Sequence, residues 1–252
     1  AHGAFAMAGG YAAVVLVNKL GWPFFAALPF AFFIPALAGL VLERTLYRHV
    51  YARSHLEQVL FTIGLAFMAV AATDYVMGSQ QVFVQLPKGL EGRFDLGGVG
   101  IGKYRLMIIA VCGVLTIALQ LALSKTRFGS RLRAAVDDPR TARGLGIHVN
   151  AVFAVTFAVG SGLAGLGGAL GAEILGLDPH FPLKFMIYFL IVVAVGGTSS
   201  ITGPFLAALL LGIGDVAGKY YMPTFGAFAI YTIMIVVLIL RPQGLFSRVQ
   251  GK

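Results

Sequence analysis

Apolar residues in this chain fall into long runs separated by short polar stretches. Eight runs can be drawn, over 4–18, 23–42, 57–77, 105–123, 151–173, 183–196, 203–218 and 224–240. Most approach the roughly 20 residues needed to cross about 30 Å of hydrocarbon at 1.5 Å per helical residue. The pattern predicts an all-α, polytopic transmembrane bundle read as one domain over 1–252. The runs at 4–18, 183–196 and 203–218 are short. The last two flank Gly196-Gly197-Thr198-Ser199-Ser200-Ile201-Thr202-Gly203-Pro204. That stretch is either a tight interfacial turn or a broken helix pair ending inside the membrane, where irregular backbone must be covered by protein or line a cavity.

Composition agrees. The chain is 58% hydrophobic and 12% charged, against about 45–50% and about 25% in soluble domains. So little charge does not clothe a soluble globule of this size. The net charge of +9 belongs with headgroup anchoring rather than nucleic acid, because basic residues interleaved with exposed aromatics are lacking. One cysteine, Cys112, lies inside an apolar run and reads as a packed, inert thiol. The opening AHGAFAMAGGY has no basic n-region and is not a signal peptide. It reads as a chain cut partway, with at least one further transmembrane segment expected before it.

Basic residues set the orientation. Loop 125–150 carries Lys125, Arg127, Arg131, Arg133, Arg140 and Arg143; loop 43–56 carries Arg44, Arg48 and Arg53; the tail carries Arg241, Arg248 and Lys252. With eight spans these all share one side, the cytoplasmic one. Loop 78–104 then faces outward, with Lys88, Arg93, Lys103 and Arg105 in or beside it. Its alternation at Val82, Val84 and Leu86 predicts a short hairpin.

Two motif matches are refused. Gly97-Gly98-Val99-Gly100-Ile101-Gly102-Lys103-Tyr104 nearly spells a phosphate-binding loop, but Tyr104 stands where a magnesium-binding Ser or Thr is needed. Gly160-Ser161-Gly162-Leu163-Ala164-Gly165 matches a dinucleotide fingerprint, yet sits inside an apolar run rather than after a strand. It reads instead as helix packing. Gly160, Ala164 and Gly168 share one face, as do Ser161, Gly165 and Ala169, and small residues at this spacing let membrane helices approach closely.

Segment 125–150 is polar but has helix logic. Asp138 suits an N-cap and Pro139 the first helical position. Pro139–Leu145 would make about two turns, and Gly146 can take the left-handed conformation that closes them. The result is either a merely solvated basic loop or a short rigid helix that an external motor can grip.

Here a family comes into view. Arg133–Ile147, RAAVDDPRTARGLGI, followed by a Gly-rich helix, resembles the cytoplasmic loop of ATP-binding-cassette importer permeases, specifically the branched-chain amino acid permease family and its H-type members. Ala1-His2-Gly3 resembles the end of that family's Asn-Phe-Ala-His-Gly motif. Gly196-Gly197 with Ile201 and Gly203 resembles its Gly-Gly-x-Gly-Ser-x-x-Gly turn, and Leu240-Arg241-Pro242-Gln243-Gly244-Leu245-Phe246 its C-terminal signature. The likeness spans nearly the whole chain in order. Departures are Ser199 for Gly, Pro204 for Ala, Asp137-Asp138 for Glu-Asp and Asp215 for Glu.

The resemblance implies a multi-pass permease subunit in a bacterial inner membrane, not an enzyme, binding no cofactor itself. It implies a second permease subunit, identical or not, two ATPases that consume the ATP, and a periplasmic solute-binding protein. The docking residues it implies are Ala134, Asp137, Asp138, Pro139, Ala142, Arg143, Gly144 and Gly146. Packing or pathway residues are Gly3, Gly9, Gly160, Gly165, Gly168, Gly196, Gly197, Ser199, Gly203 and Asp215. The solutes are branched-chain amino acids, with urea and short amides as the alternative. An ion-coupled secondary transporter or a passive channel are the rival mechanisms.

Ionisable groups inside apolar runs should face the bundle interior or a wet cavity. Asp74 and Glu173 lie near outer ends and read as interfacial. Asp215 sits deeper, for gating or for holding two helices in register. No Ser-His-Asp set, carboxylate pair or metal-ligand spacing is legible.

Overall fold

A computed structural model describes residues 2–51, 53–96, 99–197, 200–223, 226–241 and 244–245. Each of the eight apolar runs contains a helix. α1 spans His2–Val14 and runs on into a π-helical turn, Val15–Lys19; α2 spans Phe24–Leu42 and continues through a second π-helical turn, Glu43–Tyr47, into α3, Arg48–Val50. α4 is His55–Met77, α5 Lys103–Lys125, α6 Arg127–Asp137, α7 Pro139–Gly144 and α8 Val149–Leu175. α9 is Phe181–Gly196, α10 Thr202–Tyr221 and α11 Gly226–Leu240.

Among the described residues, four helical stretches are long and apolar enough to cross a membrane: Phe24–Val50, Leu56–Met77, Lys103–Lys125 and Val149–Leu175. α5 shows why lipid is their solvent. Tyr104 is its one buried residue among those described, while Ile109, Val114, Ile117 and Leu121 are all exposed. Water would not tolerate such a continuous apolar surface. Cys112 is also exposed on α5 rather than packed, which corrects the sequence-based expectation: an apolar run looks the same whether its neighbours are protein or lipid.

The chain divides into two compact units, one of residues 1–110 with 127–185, the other of 111–126 with 186–252. In the first, α8 packs along both α1 and α2. The seam is backbone against backbone. A Cβ placed on Gly9 would collide with the Gly165 backbone, and one on Gly168 with the Ala6 carbonyl. On the α2 side, Gly165 lies against Pro35 and the Ala31 carbonyl, Gly162 against the Phe32 ring, and Gly39 against Ser161. Pro35 has no N–H, so the Ala31 carbonyl loses its usual helical donor four residues on. Gly165 brings its Cα face to that freed oxygen, a placement that suits a weak C–H···O contact.

The face differs in part from the expected one. Among the described residues, nothing lies within 4 Å of where a Cβ on Gly160 would stand. The packed positions are Ser161, Gly162, Gly165, Gly168, Ala169 and Ala172, all buried. Gly160 sits about 100° around the helix from Ser161, enough to leave the seam.

Loop 78–104 contains a hairpin, later in sequence than expected. Arg93–Leu96 (β1) pairs antiparallel with Val99–Gly102 (β2), and Arg93 faces Gly102 across the ladder. The alternating stretch before it is not a strand pair. Val82 instead exchanges two 2.8 Å backbone hydrogen bonds with Leu177. Asn18 clips the same stretch, donating to the Phe83 carbonyl at 2.7 Å and accepting from Gln85 N–H at 3.0 Å. The phosphate-loop look-alike is resolved too: Val99–Gly102 is ladder, and Gly97-Gly98 lie outside the described residues.

In the second unit, Ile191, Val195, Ala207, Leu211, Ile230 and Val237 form the core. Gly196 and Gly203 meet so closely that a Cβ on either would strike the other's segment.

A substitution series tests the seam. Gly165→Leu should destabilise by about 1–3 kcal/mol, the usual cost of forcing atoms into a packed site. Gly160→Leu should be near neutral. Thermal melting of the detergent-solubilised protein measures both, and equal melting temperatures would refute the assignment.

Candidate functional site

Segment 125–150 folds into two helices rather than one. α6 was not anticipated: its stretch reads as polar because Arg127, Ser130, Arg131 and Arg133 dominate it. The overlooked signal is the spacing of Phe128, Leu132 and Ala135, a one-sided apolar stripe. That stripe packs into a small core of Ala135, Ala142, Val149 and Val152, flanked by Phe128, Leu132, Ala134, Ile147 and Phe153. The projection is therefore bolted to the first turn of α8.

α7 forms as its residues dictate. Asp138 is its N-cap: Oδ1 accepts from Arg140 N–H at 2.9 Å and Thr141 N–H at 3.1 Å, and Oδ2 from the Thr141 hydroxyl at 2.6 Å. Pro139 occupies the first turn, where a missing N–H costs nothing. At the other end Ile147 N–H donates to the Ala142 carbonyl and Gly146 N–H to the Arg143 carbonyl, both at 3.0 Å. This is the paired closure of a Schellman motif. It requires a left-handed residue, and Gly146 supplies it at φ +80°. The Ile147 side chain packs on the core that contains Ala142, the apolar contact that accompanies this motif.

The expected docking residues thus divide. Ala142 is buried in the core that seats the projection, and Ala134, half-buried, packs against that core. Asp137, Asp138, Arg143, Gly144 and Gly146 are exposed, and Pro139 is half-buried. Two apolar residues join the exposed face, Val136 at 62% and Leu145 at 75%.

The remaining candidates lie apart from it. Gly9, Gly165 and Gly168 form the α1–α8 seam already described, and Gly3 packs on Pro182, where a Cβ would come within 2.8 Å. In the second unit, Gly203 N–H donates to the Ser200 hydroxyl at 3.1 Å, so Ser200 shapes the turn. Ser199 lies outside the described residues. Gly197 takes φ +80° and lies against Gly244, whose Cβ would come within 2.6 Å of the Gly197 nitrogen. Leu245 N–H donates to the Val195 carbonyl at 2.8 Å. Gly244 and Leu245 of the C-terminal signature thus fold back on Val195–Gly197. Asp215 bonds Lys219 at 2.6 Å on its own helix, so that ion pair does not tie two helices together. Asp74 accepts from the Ser79 hydroxyl at 2.6 Å. Among the described residues no group of three or more His, Cys, Asp or Glu is placed to hold a metal.

The profile of a known family, "Branched-chain amino acid transport system / permease component", matches residues 1–240. The chain belongs to that family. It is a multi-pass membrane permease, of a transport family rather than an enzyme family. The permease is 27% identical to Escherichia coli LivH, over 98% of this chain and 85% of that one. It is equally similar, 27% over 98% of this chain and 85% of the other, to BraD of Pseudomonas aeruginosa. Both relatives are named high-affinity branched-chain amino acid transport system permease proteins. A third, Escherichia coli LivM, is 26% identical over 97% of this chain and 62% of its own length. No solved structure matches the permease.

The α7 cap carries a pH signature. Hydrogen bonds from Thr141, then from the Arg140 N–H, hold the Asp138 carboxyl below its ordinary value of 3.8. A lowered folded value means the carboxylate's contribution is complete above the ordinary value and is lost as pH falls through the lowered one. Amide protection at 140–147, corrected for intrinsic exchange, should be unchanged between pH 7 and pH 5 and should fall only below 3.8. Asp138→Ala should lose that protection at every pH.

Proposed function

We propose that this permease is the membrane-spanning subunit of an ATP-binding-cassette importer. It carries branched-chain amino acids or closely related small solutes across a bacterial inner membrane. The substrate follows the printed function of LivH and BraD. LivH and LivM, two permease proteins of one organism, both resemble this chain. That supports a partner permease of the same family supplying the other half of the pathway.

The observation that carries the reading is the α6–α7 projection. A permease without its own nucleotide site needs a stiff handle, and this one is capped at both ends and seated on buried Ala135, Ala142, Val149 and Val152. Two ATPase subunits dock on the permease pair, each gripping one such handle, which Asp138 caps, through Asp137, Arg140, Arg143 and the exposed Val136 and Leu145. An extracytoplasmic binding protein delivers solute to the outer surface around loop 78–104. This chain binds no cofactor; ATP is consumed by the partner ATPases.

Charge reversal tests the handle. The double substitution Asp138→Lys with Arg143→Glu should abolish co-purification of the ATPases and ATP-dependent uptake, while membrane insertion stays normal. Uptake that continues at the unaltered rate, or that follows an ion gradient instead of ATP, would rule the reading out.

A further inference from the structure

Glu43 and Tyr47 are one turn apart on the same face of the α2–α3 helix and are both buried, at 4% and 7% exposure. Glu43 makes no hydrogen bond or ion pair among the described residues. The Tyr47 hydroxyl has no hydrogen-bond partner either. Buried polar groups are almost always paired, and an unpaired one needs a reason. The Tyr47 hydroxyl is such a group, and the Glu43 carboxyl lies one turn away from it.

They also occur where the helix is loosened. Glu43–Tyr47 is a π-helical turn, with Arg48 N–H reaching back to the Glu43 carbonyl. Thr45 diverts the Val41 carbonyl through a 2.7 Å side-chain bond. Such turns carry one extra residue, and they are found frequently at functional sites. Moving the extra residue along the helix by one position rotates the side chains it passes by about 100°. Moving it across the whole Glu43–Tyr47 turn would carry both residues off the buried face.

The position of the turn gives that rotation a use. Below it lies the rigid seam, where Gly39 abuts Ser161. Above it, Tyr51 stands edge-on to Phe153 at 6.3 Å, and Phe153 packs on the core that seats α6 and α7. The Tyr47 ring lies between Phe157 at 4.7 Å and Phe61 at 5.3 Å, and Phe157 reaches Phe5 of α1 at 5.9 Å. Two sets of aromatic contacts therefore flank the loosened turn, one of Tyr51 and Phe153 beside the core that seats the projection, the other of Tyr47, Phe157, Phe61 and Phe5 reaching α1 and α4.

We infer that the Glu43–Tyr47 turn is a two-state joint in the transport cycle, its carboxyl and hydroxyl unpaired in this state and hydrogen-bonded in the other. This rests on the importer reading above. Packed interiors switch between discrete arrangements rather than deforming smoothly. Two groups left unpaired here lower the barrier to leaving this arrangement, and their pairing in the other holds it. Glu43 and Tyr47 are positioning residues that touch no solute.

The experiment uses the complete transporter with its partner permease, ATPases and binding protein, reconstituted in liposomes. Tyr47→Phe and Glu43→Gln should each raise the melting temperature of the resting assembly, by about 2 °C or more. Each should also slow ATP-driven uptake at least about fivefold. In the unaltered assembly, amide exchange over 41–51 should differ between the resting and nucleotide-trapped states. Uptake at the unaltered rate, melting that is unchanged or lowered, or exchange identical in the two states would each overturn the joint. Absence of ATP-dependent uptake by the unaltered assembly would count against the importer reading instead, and the melting comparison, which needs no transport, would still decide whether these groups are unpaired at rest.

Discussion

The closeness of α8 to α1 and α2 is the constraint on which the first unit depends. In lipid the hydrophobic effect does not drive helices together, because acyl chains solvate leucine as well as another helix does. What remains is close-range dispersion, and dispersion needs contact distances. Gly9, Gly165 and Gly168 supply them by presenting no side chain where the helices come closest. Pro35 adds to this from the α2 side, freeing the Ala31 carbonyl at the point where Gly165 comes nearest. Everything at the head of α8, including the seat of the projection, takes its position from a helix that cannot slide without backbone striking backbone.

That rigidity makes the loosened turn on α2 informative. A helix clamped at Gly39 by Ser161 and carrying Tyr51 against Phe153 has its fixed and working ends only about three turns apart. In the proposed cycle, motion imposed on α6 and α7 would have to be absorbed between them. A regular α-helix would pass it straight into the glycine seam, where no slack exists. The π-helical turn is the one place in this stretch where the hydrogen-bond pattern is already irregular, and therefore the one place where a change of register breaks the least.

How much of this the amino-acid pattern discloses depends on how local the cause is. All eight apolar runs became helices, because run length alone decides that in lipid. The short helix Pro139–Gly144 was legible in detail: an Asp cap, a Pro at the first position and a Gly after the end act within one or two turns of themselves. Identity of the packed face was less so. Gly160 and Gly162 are chemically the same, and only the position of α2, with Phe32 over Gly162, separates them. The hairpin moved for a similar reason. Val82 finds its partner at Leu177, ninety-five positions along, and nothing in the alternation at 82–86 reveals that.

α6 is the instructive omission. Its charge density suggested a solvated loop, yet three apolar positions on one side suffice to seat it, because the surface it covers is small and already framed by Val149 and Val152. The same economy explains why Asp138 is exposed and still indispensable. Its carboxylate is spent on Arg140, Thr141 and the Thr141 hydroxyl, so the charge offered to a docking partner comes chiefly from Asp137, Arg140 and Arg143 around it. Capping and docking are therefore separable. Asp138→Asn, which keeps a capping oxygen, should leave α7 folded and ATPase docking close to normal, whereas Arg143→Glu should leave α7 folded and weaken docking. If both behaved alike in amide exchange over 140–147 and in ATPase co-purification, the cap and the gripping surface would be one and the same.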